Sequence, residues 1–156
     1  MEEINFKIYM RGTGWDDVYP ECIVSINEQQ KWRGCVDPNT VVDFDMTIEE
    51  DNNTLTIQYV NRNSNLDVKR DADNNIIANR QIDIDAVCID DIELDSFSII
   101  HKLSEVSFTD YEYCKLNEKD PQSYPITKRG ITTLGTECKW NLQFTTPVYI
   151  WMLENL

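Results

Sequence analysis

Apolar and polar residues alternate along much of this chain. Ile4, Phe6, Ile8 and Met10 share one parity and Asn5, Lys7 and Tyr9 the other, which is the period-two signature of a half-buried strand. Val42, Phe44, Met46 and Ile48 repeat the pattern against Asp43, Asp45 and Thr47. The polar stretch Glu49 to Asn53 predicts a turn, and Leu55, Ile57 and Tyr59 the returning strand of a hairpin. Cys22 to Asn27 reads as another strand, with Asn27 to Gln30 turning the chain back toward Trp32. From Gln81 to Leu94 the pattern resumes, with Ile82, Ile84, Ala86 and Cys88 facing one way and Val87 and Ile89 the other, so burial on both faces is expected there. Asp90-Asp91 predicts a turn. Near the end, Trp140, Leu142 and Phe144 alternate with Asn141, Gln143 and Thr145.

Between these runs the pattern weakens. Arg11 to Asp17 reads as a Gly-rich loop, and Asn61 to Asn79, rich in Asn and Asp, as one long loop. Ser98 to Phe108 fits either a strand pair or a short helix, and Tyr111 to Arg129 is polar and interrupted by Pro121 and Pro125. Strands at this spacing joined by turn residues predict an all-β sandwich or barrel. Composition agrees, with 17 Ile, 10 Val and 12 Thr against only 3 Ala. The expected architecture is a jelly-roll-like antiparallel β-sandwich over residues 1–98. Residues 99–156 are expected to add strands as a C-terminal β extension, packed on that body or on a neighbour within a single domain.

Charge narrows the function. Twenty-eight acidic residues against 14 basic ones give a net charge of −14 over 156 residues, which argues against nucleic acid and anionic membranes as partners. Acids stand near the N-terminus where a signal peptide carries bases, and the longest apolar run, Val148 to Leu153, is far short of a membrane span. The expectation is synthesis in the cytoplasm without a signal peptide. Five scattered cysteines, Cys22, Cys35, Cys88, Cys114 and Cys138, make neither a disulfide framework nor a zinc spacing and are expected to be reduced.

Candidate chemistry is sparse. Asp71-Ala72-Asp73 opens like a calcium loop, but the EF-hand positions for Gly and Glu hold Ile76 and Ile82. Asp67, Asp71 and Asp73 stay as candidate ligands for calcium in a different loop geometry, against the plainer reading of a solvated acidic loop. Asp83 and Asp85 share a strand face, as a metal or glycosidase pair would, or as charges that keep a sheet face soluble. Trp15 with Asp16, and Trp32 beside Arg33, are candidate sugar contacts or plugs at the ends of a sandwich. His101 stands alone, so no catalytic triad is assembled, and Gly12-Thr13-Gly14 lacks the third glycine of a nucleotide loop. No catalytic residue and no enzyme activity is expected. Trp140, Phe144, Tyr149, Trp151 and Met152 form the most apolar group; they read as the last core strands or as an interface for docking and self-association.

Two resemblances bear on this. Arg11-Gly12 at the end of the first strand, Ile23 to Glu28, Leu55 to Asn61 and the closing strand Ile82 to Asp90 resemble the calcium-dependent xylan-binding type of carbohydrate-binding module, a small jelly-roll sandwich. That resemblance covers residues 1–95 and implies a carbohydrate partner, with calcium holding the Asn61–Asn79 loop. Gly135, Trp140 to Phe144 and Pro147 to Trp151 resemble small accessory virion proteins of tailed bacteriophages. That second resemblance implies a structural or decoration role in a phage particle, through contacts with other virion proteins. The virion role is the leading expectation and the carbohydrate-binding module its alternative.

Overall fold

The computed structural model describes residues 1–97, 100–108 and 126–155. Most of the Tyr111–Arg129 stretch, Cys114 included, lies outside the described residues, as do residues 98 and 99. The chain folds as an antiparallel β-sandwich. One sheet runs β12 (Thr133–Leu134), β8 (Gln81–Ile89), β1 (Glu2–Thr13), β4 (Thr40–Ile48), with β9 (Ile92–Asp95) also paired to β8. The other runs β11 (Ile126–Arg129), β10 (Ser104–Phe108), β13 (Cys138–Thr145), β5 (Asn52–Val60), β2 (Glu21–Ile26), β3 (Gln29–Cys35). The alternating residues of both sheets meet in one core. Phe6 of β1 lies 5.4 Å from Phe44 within its own sheet and 5.8 Å from Phe144 of the opposite sheet, ring centre to ring centre.

Local chemistry explains the turns. Asn27 and Glu28 (φ 50° and 67°) join β2 to β3, and Asp90 and Asp91 (φ 49° and 66°) join β8 to β9. Two successive left-handed residues match the twist of the strands they connect, and Asn and Asp adopt that conformation at low cost. Gly12 is required for a different reason. It lies inside β1, which runs on through Arg11 and Thr13 where the sequence predicted loop. A Cβ at Gly12 would stand 1.6 Å from the Val36 carbonyl oxygen, and the Gly12 N–H donates to Asp37 O at 2.8 Å.

Three further expectations are revised. Strand β8 is buried on its outer side only at Ala86, which pairs with Tyr9; Met10 pairs with Ile84, so Asp85 is an extra residue. This bulge changes the parity and brings Val87 and Ile89 to the same buried side as Ile82 and Ile84, while Cys88 turns outward. The Asn61–Asn79 stretch is not one long loop. It holds a turn of helix, α1 (Ser64–Asp67), and a ribbon of β6 (Val68–Arg70) with β7 (Ile76–Asn79). The stretch expected as a strand pair or a short helix holds, within residues 100–108, a short helix α2 (Ile100–Leu103) followed by the single strand β10.

The extension after residue 99 is built into both sheets, β12 pairing with β8 in the first and β13 with β5 in the second, from Lys139↔Gln58 to Thr145↔Asn52. The final segment is helical rather than extended, α3 (Val148–Asn155). Val148, Trp151 and Met152, spaced as one helical face, are its buried residues. Its first N–H, on Val148, donates to both carboxylate oxygens of Glu2 at 3.2–3.3 Å, so a side chain of β1 caps the helix.

Candidate functional site

The outer face of the six-stranded sheet carries a polar trough. Its residues occupy the positions that alternate with the core. On β5 these are Thr54, Thr56 and Gln58, and on β13 Lys139, Asn141 and Gln143. Strand register aligns them across the sheet. Ser25 pairs with Thr56, Thr56 with Asn141, Asn141 with Glu105, and Glu105 with Arg129. That row crosses five strands and spans about 19 Å at the usual strand spacing. The floor is hollowed in adjoining depressions of about 710 and 250 Å³, which share Thr54 and Asn141. A third, of about 480 Å³, continues past Thr54 and Gln143 toward Lys102 and Asn155.

Hydroxyls and amides dominate this surface, and each both donates and accepts hydrogen bonds. Thr56 Oγ1 donates to Asn141 Oδ1 at 2.8 Å, which fixes the orientation of that amide. The Asn141 Nδ2 then reaches only Lys139 O, at 3.5 Å, too long to consume its donors. The trough thus presents donors held in place by the sheet. The outer face of the other sheet differs, with Asp43, Asp45, Asp83 and Asp85 along its strands.

Of the residues singled out in the sequence, Phe144 and Trp151 line the third depression and the others fall elsewhere. Asp67 is nearly buried and pairs with Arg80, Nη1 to Oδ1 3.1 Å, while its Oδ2 accepts from the Asn63 N–H at 2.6 Å. Asp71 lies in an exposed turn and accepts from the N–H groups of Asp73 and Asn75, both at 2.9 Å. Those bonds hold its carboxyl below the usual range, the Asn75 N–H contributing most. Among the described residues no three His, Cys, Asp or Glu side chains gather as a metal set. Asp67, Asp71 and Asp73 thus do not form such a three-carboxylate group.

Trp15 lies under the Arg80 guanidinium, 4.2 Å from ring centre, and its carbonyl accepts from Arg80 Nη2 at 3.2 Å. Arg80 thus joins Trp15 and Asp67 in a single buried node. Asp16 is exposed at the following turn, with φ 55°. Trp32 is half-buried against the core, and a Cβ at Gly34 would come within 2.8 Å of its ring. Trp140, Phe144, Trp151 and Met152 are buried within the chain, Phe144 and Trp151 meeting edge to face at 6.2 Å. Of that group only Tyr149 is exposed, at 54%.

Asp83 and Asp85 sit either side of Ile84 and beside a hollow of about 470 Å³, which His101 and Arg11 also line. Both carboxylates are engaged. Asp83 accepts from Thr133 Oγ1 at 2.6 Å, and Asp85 holds Arg11 through Nε and Nη2 at 2.8–3.1 Å. The cysteines Cys22, Cys35, Cys88 and Cys138 are unbridged. Burial pushes the Cys22 thiol up to about 12.

The trough was missed because the sequence reading followed the apolar half of each alternation. The signal lay in the other half: the outward residues of β5 are uncharged hydroxyls and amides, where half of those of β4 and β8 are acids.

No family model matches the sequence, and no curated protein sequence matches it. Among solved structures, the chain is similar to the selenomethionine form of vCBM60, from work linking two families of calcium-dependent carbohydrate-binding modules by circular permutation. The TM-score is 0.48 at 5% identity, over 89% of each chain. The complex of vCBM60 with galactobiose gives a TM-score of 0.47 at 8% identity, over 90% of this chain and 97% of that one. No ligand or residue role passes from these structures to this chain.

Proposed function

We propose that this protein is a non-catalytic carbohydrate-binding module and that its glycan lies along the trough of the six-stranded sheet. The observation that supports this most is the row Ser25–Thr56–Asn141–Glu105–Arg129 with its flanking Gln58, Thr54 and Gln143. A sugar chain offers many groups that donate and accept at once. Rigid strands bearing hydroxyls and amides match that chemistry over several rings. An open trough also suits an extended polymer rather than a small molecule enclosed on all sides.

The virion role drew on an aromatic end left for a neighbour to cover. Trp140, Phe144, Trp151 and Met152 are covered within the chain, which weakens that reason, while Tyr149, Ile150 and Leu153 of the last helix stay exposed. Because hydrogen bonds rather than stacking carry the recognition, binding is expected to be enthalpy-driven.

Native affinity electrophoresis in gels containing a panel of plant, algal and bacterial polysaccharides tests the reading. At least one polymer should retard the protein. Asn141→Ala and Gln58→Ala should each weaken that retardation about five-fold, the loss of one hydrogen bond, with melting temperature unchanged. If no polymer retards the wild-type protein, or if the two variants bind as it does, the trough is not a glycan site.

A further inference from the structure

Charge is divided between the two sheets against the balance of the whole chain. The strands of the β12-β8-β1-β4 sheet, with β9, carry eight acidic residues and two basic, net −6. The strands of the six-stranded sheet carry two acidic residues and five basic, net +3. A chain of net charge −14 thus bears a cationic sheet.

Two of the trough's three cations stand at one end, Lys139 lying in the larger depression. Arg129 ends the row and Lys102 approaches from α2. Both line the depression of about 480 Å³, where the described lining residues include no carboxylate. Neither forms an ion pair among the described residues, where the pairs use Lys7, Arg11, Arg33 and Arg80 instead. Glu105 is the register partner of Arg129, yet the two do not pair. Thr54, Gln143 and Asn52 add neutral donors and acceptors to a lining that also holds Leu103, Phe144 and Trp151.

We infer that this end of the trough receives an anionic group on the glycan, so that the ligand is an acidic polysaccharide carrying carboxylate or sulfate. The inference rests on the carbohydrate reading of the trough and narrows its substrate class. Two cations without an ion pair among the described residues, set beside hydroxyls and amides, supply charge and hydrogen bonds to the same oxyanion. The rest of the surface repels polyanions, which makes the site selective, because an acidic polymer without a seat at this end is held off by the −14 background.

The test uses matched polymers: polygalacturonate against its methyl ester, alginate as a second uronate, and dextran sulfate against dextran. Isothermal titration calorimetry at physiological ionic strength should show at least one acidic member bound about ten-fold more tightly than its neutral counterpart. The uronate and sulfate arms identify which anion is held. In Lys102→Gln/Arg129→Gln the ratio of acidic to neutral affinity should collapse toward one. Lys69→Gln, on the exposed ribbon, should leave that ratio as it is. If the double variant fails to fold, each single variant should lower the ratio.

Equal affinity for charged and neutral partners would overturn the inference and leave the trough reading standing. So would neutral glycans bound with no acidic one, or an acidic preference that survives the double variant. No binding by any glycan would overturn both.

Discussion

Gly12, Cys22 and Tyr59 show how single side chains are fixed by their surroundings. Gly12 passes so close to the Val36 carbonyl that any side chain collides with backbone, which cannot give way as a flexible side chain could. Gly12→Ala should cost about 3 kcal/mol or more, read as a lowered midpoint in chemical denaturation. Burial raises the Cys22 thiol from its ordinary 9.0 and the Tyr59 phenol from 10.0, each to about 12. The folded state thus keeps protons that the unfolded chain has already released. Their contribution to stability is fully present below about pH 9 and is lost as pH rises toward 12. Stability curves above pH 9 should fall accordingly. Alkylation at pH 8 under native conditions should label exposed Cys35 and spare Cys22, with mass spectrometry of the digest as the readout. Rapid labelling of Cys22 would contradict the packing around β2.

Elements show what the sequence could and could not reveal. Strands β1, β4, β5 and β13 were legible because each buries alternate residues in one continuous core, so local order reports the face directly. Three things were hidden. The bulge at Asp85 depends on how β8 pairs with β1, two strands far apart in sequence. The Val148–Asn155 helix is rich in branched and aromatic residues that elsewhere in this chain form strands. Its helical spacing of Val148, Trp151 and Met152 was the signal that went unused. The trough is set by the register of β13 on β5 and of β10 on β13, which no local pattern encodes. Of the candidate site residues, only Phe144 and Trp151 border the trough, at its third depression, whereas Trp15 and Asp67 turned out to share Arg80. Two predictions belong at this scale. Glu2→Ala removes the cap on the last helix and should destabilise by about 1 kcal/mol in thermal or urea melts. Trp151→Ala should destabilise by about 3 kcal/mol and leave the sedimentation behaviour of the folded fraction unchanged, since the ring fills this chain's own core.

Across the whole molecule, the sandwich separates two surfaces of opposite character. One sheet faces outward with carboxylates, several of them tied up by Arg11, Thr133 and Asn5. The other faces outward with hydroxyls, amides and the cations Lys139 and Arg129. Because the acidic candidates Asp67 and Asp71 already spend their oxygens on Arg80 and on backbone N–H groups, glycan binding at the trough should survive chelation. Retardation in affinity gels should be the same with EDTA as with added calcium, and a requirement for calcium would move the site to another part of the fold. The most direct test is amide chemical-shift mapping of isotope-labelled protein titrated with the polysaccharide that retards it most. Perturbations should cluster on Ser25, Thr56, Gln58, Glu105 and Asn141, across β2, β5, β10 and β13. Shifts confined to Trp15–Asp17, to Lys69–Asn75 or to the acidic sheet would contradict the assignment, as would a spectrum that no polysaccharide moves.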